Sequence, residues 1–234
     1  GDGRELANAA SFPLASRTAA YPPLAKFASS PFGIVESMLD PPVVPVTLRY
    51  VERELTLKGL APERPALREL RVQSDAQIIE WSARLRQFHE RRLGEDELRR
   101  AFGEPPRRRA ASEPEPQTES RTLSLLAREP GATRIALPDP AGAPATRDAA
   151  GWPFEVVGVP LAAPGYYVLE LESGRLGEAL LGRQASMYVR SSALVTNLAV
   201  HFKRSGEQSM AWVTTLDAGR PVPGARVQVS DCKG

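Results

Sequence analysis

The sequence predicts a mainly β protein, an antiparallel sandwich carrying one helical insertion. Three observations predict it. Apolar or β-branched side chains recur at every second position in short runs, most clearly Leu194, Thr196, Leu198, Val200 and Phe202, the spacing of a strand with one buried face. Turn-forming residues separate the runs and are densest in Asp217-Ala218-Gly219-Arg220-Pro221-Val222-Pro223-Gly224. There Gly219 and Gly224 can supply φ > 0 and the prolines stiffen the connection. Composition agrees: 22 Pro and 18 Gly against 6% aromatic residues suit strands with exposed connections better than a helical bundle.

The elements follow in order. Residues 2–30 are rich in Ala, Ser and Pro with little periodicity, and 1–40 reads as an extended lead-in. Phe32, Ile34, Val44, Val46, Leu48, Tyr50 and Val51 mark the first strand pairs, and Pro41, Pro42 and Pro45 confine them to an edge or a bulge. Leu67, Leu70 and Val72 continue the pattern. Ser74-Asp75-Ala76-Gln77 is a capping box, with Ser74 at the N-cap and Gln77 able to bond back. Ile78, Trp81, Leu85 and Phe88 then lie on one helical face, and Gly94 is the expected stop. Leu98 and Phe102 predict a short second helix over 95–102, so 74–102 reads as a helical insertion packed on one face of the sandwich. Residues 103–120 hold no apolar side chain larger than alanine. Burial there cannot offset the ordering entropy, and a disordered loop is expected.

Strands are expected again at 123–126, 133–137, 154–159 and 166–171, with a loop over 138–151. After the run from Leu194, residues 211–216 and the alternation of Ala225, Val227 and Val229 predict two further strands. Three strands fall short of the roughly seven of a sandwich, so the chain reads as cut inside a second domain. The uncovered apolar face and strand edges of 194–234 are expected to pack on the first sandwich or to pair with a second copy, the dimer being favoured.

Several function classes are disfavoured. A net charge of +2 sets up no global field for nucleic acid or membrane. No run approaches the ~18 apolar residues of a membrane span. Gly1-Asp2-Gly3-Arg4 reads as an engineered scar ahead of an internal start, with no signal peptide. The lone Cys232 leaves the redox compartment open. His89 and His201 are the only histidines; neither has a second ligand type at metal spacing, and both read as solvated. No G-x-S-x-G elbow and no glycine-rich phosphate loop occurs. Arg107-Arg108-Arg109, with Glu113, Glu115 and Glu119 nearby, reads as a solvated loop. Trp81, Trp152 and Trp212 read as core or inter-sheet packing. No catalytic, cofactor-binding or metal-binding residue is expected, and the chain is not expected to be an enzyme.

S-A-L-V-T-N-L-A-V-H-F-K-R followed by W-V-T-T-L-D-A-G-R-P-V-P-G-A-R-V-Q-V-S-D resembles the amino-terminal macroglobulin-like domains of bacterial α2-macroglobulins. P-L-A-K-F-A-S-S-P-F-G-I-V-E at 23–36, A-P-G-Y-Y-V-L-E-L-E-S at 163–173, L-G-E-A-L-L-G at 176–182 and Met187-Tyr188-Val189-Arg190 resemble the same region. The resemblance implies a macroglobulin-like (immunoglobulin-like) sandwich over 41–190 and a truncated second one over 191–234. It also implies a structural part in a broad-range protease trap, periplasmic and anchored in the inner membrane by lipid. The implied partners are neighbouring macroglobulin-like domains, and target proteases only through the whole protein. The family's thioester pairs a Cys with a Gln in C-x-E-Q; Cys232-Lys233-Gly234 does not show that motif, and a free thiol or a disulfide to a residue elsewhere is expected for Cys232. The same hairpin chemistry also fits a surface adhesin, a ligand-binding sandwich module, or an accessory domain of a secreted hydrolase.

Overall fold

The computed structural model describes residues 3–4, 7–13, 21–38, 41–51, 66–110, 112–137 and 154–229. The fold is mainly β, with 39% of the described residues in strand and 18% in helix. One antiparallel sheet joins β1 (Leu24–Phe27), β3 (Val43–Arg49) and β8 (Glu155–Pro160) in that order. A larger sheet joins β2 (Phe32–Glu36), β10 (Met187–Thr196), β9 (Gly165–Ser173), β4 (Ala66–Val72) and β7 (Thr133–Ile135), antiparallel except for β2 beside β10. Two ribbons complete the strands: β5 (Arg92–Gly94) with β6 (Gln117–Glu119), and β11 (Leu198–Arg204) with β12 (Ser209–Thr215). The helices are α1 (Asp75–Gln87), α2 (Glu95–Ala101) and α3 (Gly174–Leu181).

Side-chain alternation along β9 explains the layering. Tyr167, Leu169 and Leu171 point into a core shared with Phe27, Val46 and Val159 of the three-stranded sheet. Tyr166 and Val168 point the other way, into a second core with Trp81, Leu85 and Phe88 of α1 and its end. Successive residues of a strand face opposite sides, so a strand covered on both faces reads as one long apolar run. The larger sheet is thus the middle layer, with the small sheet on one side and the helical insertion on the other.

The capping box forms. The Ser74 hydroxyl accepts the Gln77 N–H at 3.3 Å and donates to the Gln77 side chain at 3.1 Å. Ser74→Ala is expected to lower the unfolding free energy by about 1 kcal/mol; a urea titration checks this, and an unchanged midpoint would show that α1 is held by its buried face alone.

Several expectations are corrected. The lead-in over 1–40 already contains β1 and β2, and β1 pairs with β3 from Leu24 onward. Gly94 does not end α1, which stops at Gln87 with Phe88 as C-cap; Gly94 is instead the N-cap of α2. Residues 103–120 are not a structureless loop. They include β6, and Ser120 has 0% exposure, because ion pairs and backbone bonds supply the order that apolar burial could not. The expected strand at 123–126 is absent because the N–H groups of Leu125 and Leu126 bond to a side-chain carboxylate instead of a ladder. The boundary placed at 190/191 falls inside β10, which stays in the five-stranded sheet to Thr196; the chain turns at Asn197, so Leu194 and Leu198 are not on one strand. No strand forms at 225–229. The 217–224 turn forms as expected, with φ of 64° at Gly219 and 70° at Gly224. Trp152, Cys232 and the loop over 138–151 lie outside the described residues.

Candidate functional site

The most organised polar arrangement lies between the middle sheet and the helical insertion. Glu170 of β9 and Arg190 of β10 are directly opposite each other in the ladder, on the face that carries Val168 and Leu194 toward α1. Glu170 is 1% exposed. Arg190 Nε donates to Glu170 Oε2 at 2.9 Å. The same carboxylate accepts the N–H of Leu125 at 2.7 Å, that of Leu126 at 3.3 Å, and the Ser124 hydroxyl. The rest of the guanidinium donates to the carbonyls of Phe88 at 3.4 Å, Ser120 at 3.2 Å and Leu123. Burial pulls the Arg190 guanidinium below its ordinary value, and Glu170 opposes that pull. Apart from their bond to each other and the Ser124 hydroxyl, these bonds go to backbone groups outside the sheet ladders. A buried ion pair satisfied in this way can hold elements in one arrangement: here it ties the end of α1 and the 120–126 segment to the sheet.

A second cluster continues along the same ladder. Arg68 of β4 donates to Glu172 of β9 at 2.9 Å, and the hydroxyls of Ser186 and Tyr188 reach the other oxygen of Glu172 at 3.0 and 3.2 Å. Burial pushes the Glu172 carboxyl up, but Arg68 and the hydroxyl donors outweigh it and the net shift is downward. Burial and the facing Glu172 push the Tyr188 phenol up. A cleft of about 190 Å³ lies beside these residues, lined by Leu85, Phe88, His89, Leu176, Met187 and Tyr188 among others. Of the polar groups at the cleft, which also include Ser30, His89, Glu90 and Arg121, Arg190 and Tyr188 are engaged with Glu170 and Glu172. The chemistry of these two pairs is that of a structural clamp.

The histidines and tryptophans singled out in the sequence do not form one cluster among the described residues. His89 and His201 are both exposed and far apart in the fold, one after α1 and the other on β11 opposite Trp212. Trp81 is in the core at 4% exposure, whereas Trp212 is 52% exposed, against the expectation of packing. Val200, Phe202 and Met210 of the same ribbon are also more than half or about half exposed. Among the described residues no group of three or more His, Cys, Asp or Glu is placed to hold a metal ion, and no helix is long and apolar enough to cross a membrane. Glu170 and Arg190 were missed in the sequence. The available signal was a carboxylate inside the near-continuous apolar run Y-Y-V-L-E-L of β9.

Residues 195–234 match the family model of the bacterial alpha-2-macroglobulin MG3 domain. No curated protein and no solved structure gives a significant match. The matched stretch takes in the β11–β12 ribbon, the 217–224 turn and the residues after it. Residues 195–234 are thus similar to the MG3 domain of bacterial α2-macroglobulins, and a mainly β body precedes them.

Proposed function

We propose that this chain is a structural scaffold of a bacterial α2-macroglobulin-like protease trap, a non-catalytic set of β modules that positions other parts of the whole protein. The MG3 match at 195–234 is the observation that carries this reading. The layered body upstream supports it: its charged side chains are spent on holding elements together, as in the Glu170–Arg190 and Arg68–Glu172 pairs. The exposed apolar side chains of β11 and β12 suit burial against another macroglobulin-like layer. On this reading the layered body, which runs through Thr196, and the module that begins with the β11–β12 ribbon are neighbours in one longer assembly. The whole protein is periplasmic, held at the inner membrane by lipid, and meets its target proteases through segments other than these.

The test uses the whole protein and this chain side by side. The whole protein, incubated with trypsin or elastase, is expected to shield the protease from a large protein substrate while a small chromogenic peptide is still cleaved. This chain alone is expected to leave protease activity on both substrates unchanged. Absence of shielding by the whole protein would overturn the trap, and stoichiometric shielding by this chain would overturn its purely structural role.

A further inference from the structure

Residues 104–110 and 112–116 fold back over α2 as a strap, and none of their apolar side chains, Ala110 and four prolines, is buried to fasten it. Arg109 is inserted beneath, its side chain 9% exposed, 2.7 Å from Asp96, 3.5 Å from Glu115 and 3.7 Å from Glu95. Arg107 stays mostly outside, 3.9 Å from Glu95, while its backbone N–H donates to Asp96 at 3.2 Å. At the far end the Glu115 carboxylate accepts the Asp96 N–H at 2.9 Å. It fills the space that a side chain on Gly94 would need, with its carboxylate atoms 2.5–2.6 Å from an added Cβ. Arg99 adds a bond to the Pro105 carbonyl at 2.6 Å and an ion pair with Glu104 at 3.3 Å.

We propose that this strap is an electrostatic latch that sheathes Arg109, closed while Glu95, Asp96 and Glu115 are ionised and unscreened, and open when salt or acid removes their attraction. Salt reaches the latch through its carboxylates, which are 22–42% exposed although Arg109 is not, and their attraction weakens as the screening length falls from about 10 Å at 0.1 M salt to about 3 Å at 1 M. The described alanine and prolines of the strap are exposed and offer no buried apolar contact to take over. Opening stops at β6, because the next residue, Ser120, is buried and its carbonyl is held by Arg190. Its consequence is chemical: a trypsin-class protease must draw an arginine side chain into its own pocket, and Arg109 can enter only after leaving its three carboxylates. Arg108 is exposed with the latch closed.

The charged groups facing the latch are Glu95, Asp96, Arg99 and Arg100 on α2, and Glu104, Arg107, Arg109 and Glu115 on the strap; Arg108 and Glu113 face solvent. Desolvation pushes the Asp96 carboxyl up, but the Arg107 N–H and the Arg109 guanidinium outweigh it and hold it below its ordinary 3.8. A group with a lowered folded value contributes stability above its unfolded value and loses it as pH falls through the folded one. The contribution of Asp96 is therefore lost only as pH falls below the ordinary aspartate range, and salt is the lever at neutral pH.

Limited trypsin digestion at pH 8, with sites mapped by mass spectrometry, tests this. A free peptide of residues 104–116 corrects for the effect of salt on trypsin itself. Cleavage after Arg109, normalised to the peptide, is expected to rise about tenfold between about 0.05 M and about 1 M NaCl, and by a similar factor at low salt in the double variant Asp96→Asn/Glu115→Gln. Cleavage after Arg108 should change much less. If the double variant loses its near-UV circular dichroism, the wild-type salt series decides alone. Cleavage after Arg109 that stays within about twofold across that series, or that is as fast as in the free peptide at low salt, overturns the latch.

Discussion

Arg190→Met is expected to destabilise the fold by about 3–5 kcal/mol, the largest loss foreseen for any single polar side chain in this molecule. The variant keeps an unbranched apolar stem but removes the guanidinium and leaves the Glu170 carboxylate buried without a counter-charge. It also strips donors from the carbonyls of Phe88, Ser120 and Leu123. Most of the loss comes from what remains behind, so Glu170→Gln/Arg190→Met should cost less than Arg190→Met alone. The readout is the unfolding free energy from urea titration, together with hydrogen exchange at Leu125 and Leu126, whose N–H groups rest on Glu170. A loss under about 1 kcal/mol, the range of exposed ion pairs, would show that the pair is not the clamp described here.

Gly177→Ala should also be strongly destabilising, against the helix propensity that favours it. Gly177 lies within α3 and is buried. A Cβ there would overlap the backbone carbonyl of Ala185, with the carbonyl carbon only 2.7 Å away. Alanine in a helix interior is favoured over glycine by about 1 kcal/mol. Forcing apart two backbone segments outweighs that gain, because neither can rotate aside as a side chain can, and a net loss of about 2–3 kcal/mol is expected. Gly182→Ala is the contrasting variant. Its φ is 65° at the end of α3 and nothing lies within 4 Å of an added Cβ, so only the left-handed backbone is penalised, by roughly 1 kcal/mol. Thermal or urea unfolding should rank Gly177→Ala below Gly182→Ala; the reverse order would refute the close approach of α3 to the 185–186 backbone.

The elements that were legible in the sequence are those whose information is local. Ser74 and Gln77 sit within one turn of each other, so their cap was readable and formed. The alternation in 43–49, 66–72 and 165–173 was readable because one or both faces are buried. The 217–224 turn was readable from two glycines that do adopt positive φ. The resemblance of 195–234 to a macroglobulin-like domain was legible as well, in the stretch that the MG3 model matches. Residues 123–126 misled because apolar alternation says that side chains are buried, not what the backbone bonds to. Residues 225–229 misled because a strand also needs a neighbour: their alternation is present, yet Val229 is 68% exposed and no ladder forms.

What the sequence by itself determined was the β-rich class, the helical insertion at 75–87 and the glycine turns, because propensity, capping and periodicity act over a few residues. What only the tertiary structure decided was the clamp and the strap. Glu170 and Arg190 are twenty positions apart and become one ion pair through the β9–β10 register. Arg109 looked solvated because charged residues in a Pro-rich stretch have no local reason to order; it is sheathed because α2 places Glu95 and Asp96 where the returning chain brings Glu115. Charge pairing of this kind depends on distances of a few ångströms between segments remote in sequence, and no local pattern encodes those distances.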